Sequence, residues 1–137
     1  MKYKNIAYAK FIERQNRFVA CVELDGKVET VHVKNTGRCK ELLLPGSDVI
    51  LVKTDNLARK TQYDLVAVCK DGLGWVNIDS QAPNQVVKEW LNSEPELFRN
   101  INLLKPEYTY GKSRVDFYLE CDSRKIFIEV KGCTLEI

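Results

Sequence analysis

Asp116, Glu129 and Lys131 have the types and spacing of a metal-assisted hydrolytic site. Asp116 lies in the strand-like run 113–120, and Glu129 and Lys131 lie in the run 125–131, with the polar turn Cys121-Asp122-Ser123-Arg124 between them. A turn centred between Asp122 and Ser123 places Asp116 opposite Glu129 and carries Lys131 two residues further along the same face. Like charges set directly opposite each other destabilise a sheet. A hard divalent cation held between the two carboxylates reverses that penalty. Such a cation polarises a phosphate and acidifies a bound water, and a lysine beside it stabilises charge that develops on phosphate. Arg114 falls opposite Lys131 in this register and is a further candidate phosphate contact. Alternating charges on a hairpin also describe an ordinary solvated face, so it is the carboxylate pairing that carries the functional reading.

The elements that must hold these residues are legible around them. The same register sets Val115 against Val130, Phe117 against Ile128 and Leu119 against Ile126, which gives the hairpin one apolar face. A slip of one residue would move every one of these side chains to the other face. Upstream, Leu103 to Tyr110 reads as a strand. Asn84 is placed to cap a helix whose apolar stripe is Val86, Val87, Trp90 and Leu91. Residues 5–79 read as about five short strands, with hairpins at Asp25-Gly26 and at Asp71–Gly74. A short helical turn is expected between Arg38 and Leu44. This order suggests a compact β-barrel of the OB type. Tyr3, Tyr8, Phe11 and Phe18 sit among basic residues, where a barrel presents aromatics either to bases or to its own core.

Composition narrows the classes. The chain has 137 residues, of which 45% are hydrophobic and 29% charged, as in an ordinary globular protein. Neither a signal peptide nor a membrane span is visible, and the expected compartment is the cytoplasm. Five dispersed cysteines and a single histidine, His32, give no zinc-site spacing; the cysteines are expected to be reduced. The net charge is +2, but residues 1–40 hold nine basic and four acidic residues. A basic cluster beside strands fits a phosphate-facing surface. Within it, Asn35-Thr36-Gly37-Arg38 is read either as a turn that uses a positive φ at Gly37 or as a loop that presents backbone N–H groups and Arg38 to phosphate.

Taken in order, Asn35-Thr36-Gly37-Arg38, Pro45-Gly46, Pro83-Asn84, Ser113-Arg114-Val115-Asp116-Phe117 and Glu129-Val130-Lys131-Gly132 resemble the sugar fermentation stimulation protein A family of bacteria and archaea. The resemblance implies a mixed α/β chain of two small domains. Residues 1–82 would form an OB-fold-like nucleic-acid-binding domain. Residues 83–137 would form a partial, C-terminally truncated restriction-endonuclease-like domain of the PD-(D/E)xK type, in either a fragment or an unusually short chain. It implies Asp116, Glu129 and Lys131 as catalytic residues, with Asp116 and Glu129 as ligands of Mg²⁺ or Mn²⁺; the residues themselves also offer the Val130 carbonyl as an additional ligand. Glu107 matches an acidic position of the family. Asn35, Arg38 and Arg114 are the expected nucleic-acid contacts, and DNA is the expected partner ahead of RNA. The oligomeric state is left open. Two functions follow, a metal-dependent nuclease or a non-catalytic DNA-binding regulator of sugar metabolism that keeps the nuclease scaffold.

Overall fold

The computed structural model describes residues 1–134. Lys2–Ser80 and Gln81–Gly132 form two compact units. The first holds β1 (Ile6–Arg14), β2 (Val19–Leu24), β3 (Lys27–Val33), β4 (Asp48–Lys53), β5 (Tyr63–Lys70) and β6 (Gly74–Asn77). The strand order is β3-β2-β1-β4-β5-β6, and a parallel pairing of β3 with β5 closes the sheet into a barrel. There are six strands where the sequence suggested about five. Strand β1 serves two partners. Ile6–Lys10 pairs with β4 and Lys10–Arg14 with β2, and the register shifts between Phe11 and Glu13. An extra residue at such a bulge bends the strand and sharpens its twist, which barrel closure requires.

Alternation along the strands fills the barrel. Ala20, Val22, Val31, Val49, Leu51 and Leu65 are fully buried. The Asp25-Gly26 turn has both residues at positive φ, as a two-residue type I′ hairpin demands. The segment between β3 and β4 makes a single turn, with the Leu43 N–H donating to the Cys39 carbonyl at 2.8 Å. Leu42 and Leu43 plug this segment into the core, and Arg38 and Lys40 are left exposed. Tyr8 and Phe18 are exposed, while Phe11 is core. Tyr8 lies against Trp75 with ring centres 6.0 Å apart. Tyr3 donates to Asp79 at 2.8 Å, and burial together with that carboxylate pushes its phenol up to about 12. His32 is spent on Asp64, at 3.2 Å. None of the five cysteines is in a disulfide.

The second unit contains α1 (Ala82–Asn92), a single 3-10 turn (Glu96–Phe98), and an antiparallel sheet of β7 (Ile101–Tyr110), β8 (Ser113–Cys121) and β9 (Arg124–Ile128). Its core gathers Leu91 with Phe117, Leu119 and Cys121. The helical stripe is narrower than its pattern suggests. Val87 and Leu91 face the core, whereas Val86 and Trp90 are exposed, and Trp90 meets Phe98 edge-on at 5.9 Å. Tyr108 and Tyr118 stack at 4.4 Å, and Phe127 joins them. Among the described residues no helix is long and apolar enough to cross a membrane.

The β8–β9 register is the one the apolar pattern requires, with Phe117 opposite Ile128 and Leu119 opposite Ile126. Asp122 and Ser123 form the turn, both at positive φ (47° and 64°) without a glycine. The left-handed region costs an L-residue roughly 1–2 kcal/mol. Ser123→Gly is therefore expected to stabilise the chain by about 0.5–1 kcal/mol, after glycine's own entropy cost is deducted, measured by chemical denaturation. An unchanged or lower stability would refute the strain.

Candidate functional site

Strand β9 ends at Ile128, one residue before Glu129, so the ladder does not extend to the expected Asp116–Glu129 and Val115–Val130 pairs. The next amide goes elsewhere. The Val130 N–H donates to Asp116 Oδ2 at 2.7 Å, and the Asn84 side-chain amide donates to Asp116 Oδ1 at 2.9 Å. Val130 thus enters the site through its N–H. Asn84 is not the helix cap. The helix starts at Ala82 with Pro83 in its first turn, and Asn84 lies inside the helix. Proline's fixed φ suits a first turn, and this frees the Asn84 side chain to reach Asp116.

Asp116 is held below the usual carboxylate range. The Val130 amide is the main cause; burial opposes it, and Asn84 and the Lys131 charge add to it. Amide donors stabilise the ionised form directly. Lys131 Nζ lies 3.2 Å from Glu129 Oε1, and both side chains are well exposed, so the pair contributes under about 1 kcal/mol to stability. Asp116, Glu129 and Lys131 are therefore brought together, though by a chain that leaves the sheet and not by a regular strand pair.

Three further residues, Glu107, Arg114 and Gly132, complete the surroundings. On β7, Glu107 falls opposite Asp116, between the Pro106–Phe117 and Tyr108–Val115 pairs, with a φ of 51°. Its carboxylate turns to Arg114, at 3.1 Å. Arg114 pairs with Thr109 across the sheet. Gly132 is required for space, because a Cβ there would meet Pro83 Cγ at 2.9 Å. The Pro83-Asn84, Asp116 and Glu129–Gly132 strings thus meet at one place. A small hard cation takes one or two carboxylates and keeps several waters, and the ionised Asp116 beside Glu129 suits that demand. Among the described residues no group of three or more His, Cys, Asp or Glu gathers into a cage.

In the barrel's basic loop the positive φ expected at Gly37 is absent. The Gly37 N–H donates to Asn35 Oδ1 at 2.7 Å, and a Cβ would meet that oxygen at 2.9 Å. The other end of the Asn35 side chain donates to the Ile78 carbonyl at 2.8 Å. The side chain of Asn35 is therefore committed to shaping the loop. Arg38 is exposed at its tip. Arg14, which the sequence reading counted only as charge, donates to the carbonyls of Asn16, Arg17, Asn35, Gly37 and Arg38.

Comparison with known proteins places both units. The SfsA N-terminal OB domain matches residues 12–78, and the sugar fermentation stimulation protein RE domain matches residues 81–137. The chain belongs to the sugar fermentation stimulation protein family. A family homologue from Ruminiclostridium cellulolyticum is 57% identical over 136 residues, which cover 99% of this chain and 59% of that protein. One from Clostridium beijerinckii is 54% identical over the same shares. The chain thus spans about three fifths of the length of these curated relatives. The solved structure of Pyrococcus furiosus SfsA, described in complex with Ca²⁺, superimposes with a TM-score of 0.72 at 29% identity, over 94% of this chain and 55% of that one.

Two outcomes check this site. In a carboxyl NMR titration Asp116 is expected to titrate below 3.8. Asn84→Ala should move it partway up, because the Val130 amide remains. A carboxyl pKa depressed in the fold stabilises fully above the unfolded value and loses that contribution as pH falls through the lower folded value. Acid unfolding of the Asn84→Ala chain should accordingly begin at higher pH. Separately, Gly132→Ala is expected to lower stability by about 1–3 kcal/mol, the usual cost of overpacking. Wild-type stability in that variant would show that Pro83 gives way freely.

Proposed function

We propose that the chain is a nucleic-acid-binding protein, with DNA the preferred ligand, whose second unit carries a nuclease-type site for metal-dependent phosphodiester hydrolysis. One observation supports the catalytic reading above the rest: Asn84, Asp116, Glu129, Val130 and Lys131, from separate stretches of chain, converge on one ionised carboxylate. The OB domain supports the binding reading. The Ca²⁺ named for the archaeal relative agrees with a hard-cation site. Asp116 and Glu129 would hold Mg²⁺ or Mn²⁺, which when bound supplies charge to polarise a phosphate and acidify water. Asn84 and the Val130 amide fix the Asp116 carboxylate and keep it ionised. Lys131 positions an attacking water or the scissile phosphate and stabilises its developing charge. Arg114, tethered by Glu107, offers a phosphate contact.

A second reading, a DNA-binding regulator without turnover, draws on one feature. Both Asp116 oxygens already accept N–H donors. Cleavage of labelled DNA by this chain with Mg²⁺ or Mn²⁺, and with EDTA, separates the two. The nuclease reading expects metal-dependent cleavage that Asp116→Ala and Lys131→Ala each reduce by at least about 10²-fold, with folding retained. Cleavage unchanged in both variants would sink the site assignment. Salt-sensitive binding without cleavage would support the regulator.

A further inference from the structure

A cleft of about 700 Å³ opens on the barrel beside the Arg14 cage. Its apolar wall includes Phe11, Ile12, Leu43 and Pro45, and its cations include Arg17, Arg38 and Lys40. These three cations are exposed, and Phe11 and Leu43 are buried, so the apolar part is fixed by the core. The β1 bulge and the Pro45-Gly46 turn set this wall, with the Gly46 N–H donating to the Phe11 carbonyl at 2.8 Å.

Arg14 explains why the rim holds its shape. A guanidinium carries five N–H donors in a rigid planar fork. Here it gathers carbonyls from both loops that flank the cleft, including those of Arg17 at 2.8 Å and Arg38 at 2.8 Å. Those carbonyl contacts set the course of the loop as it turns at Cys39, whose φ is 51°.

We propose that this cleft binds a single unpaired nucleotide of a nucleic-acid strand. Its base rests on the Ile12–Leu43–Pro45 wall, and its phosphates meet the side chains of Arg17, Arg38 and Lys40. Arg14, which also lines the cleft, is a positioning residue: its guanidinium is engaged by loop carbonyls and holds the rim in place. The volume is that of a small-ligand site. A paired base does not enter such a concavity unless it leaves the helix, so the cleft selects single strands over duplex. The inference rests on the nucleic-acid reading above and adds strand form and subsite to it.

Fluorescence anisotropy with a labelled oligo-dT single strand, a duplex of matched length and a free nucleoside monophosphate tests the proposal on this chain. The single strand is expected to bind at least about tenfold more tightly than the duplex. Arg38→Ala combined with Lys40→Ala should weaken it by tenfold or more and flatten the salt dependence, by about 0.7 in slope for each phosphate that is no longer neutralised. Arg14→Lys keeps the charge but not the fork. It should flatten the same slope in protein whose unfolding shows it folded, a change that loss of stability alone does not produce. Duplex and single strand bound equally, with the double variant unchanged, would overturn the cleft while leaving nucleic-acid binding intact. A free nucleotide bound as tightly as the strand would also overturn it. Binding to none of the three would overturn both readings.

Discussion

A carboxylate stands in for a backbone acceptor at the end of β9, and the second unit is organised around that substitution. Asp116 accepts the Val130 N–H at 2.7 Å. A hydrogen bond to an ionised acceptor is stronger than a neutral ladder bond, so the chain is held firmly after it leaves the sheet. That bond decides where Glu129 and Lys131 sit. It also brings Gly132 to a proline that leaves no room for a side chain. The helix contributes from its first turn, through Asn84. The carboxylate that anchors the chain there is also the one at the centre of the proposed site.

The barrel solves a comparable problem with the opposite charge. Loops between strands expose carbonyls and amides that need partners. Arg14 collects carbonyls from two loops and fixes their direction, while Leu42 and Leu43 anchor one of those loops in the core. Asn35 and Gly37 finish the arrangement by close packing. The exposed cations then stand on a stiff base.

Local patterns carried much of this to the sequence reader. The Asp25-Gly26 hairpin and the β8–β9 register follow from alternation and turn chemistry, which are local properties. The family resemblance was legible in short strings, and three of them, around Pro83-Asn84, Asp116 and Glu129–Gly132, meet at one place in the second unit. What stayed hidden depends on direction in space. Asn84 reads as a cap because asparagine often is one, but the proline before it moved the helix start upstream. Arg14 reads as one of several surface charges, since no pattern encodes which carbonyls will turn toward it. The early end of β9 depends on a side chain outcompeting a ladder partner, and strand propensity does not report that contest.

The placement of the two tryptophans has a practical side. Trp75 lies in the barrel beside Tyr8, and Trp90 lies on α1 beside Phe98. Both indoles are exposed at one edge and packed at another. Each compact unit therefore carries its own intrinsic fluorophore. Emission from a chain that keeps only Trp75 reports the melting of the barrel, and emission from one that keeps only Trp90 reports the melting of the helix and sheet. The cooperativity between the units becomes an optical quantity, readable without any label.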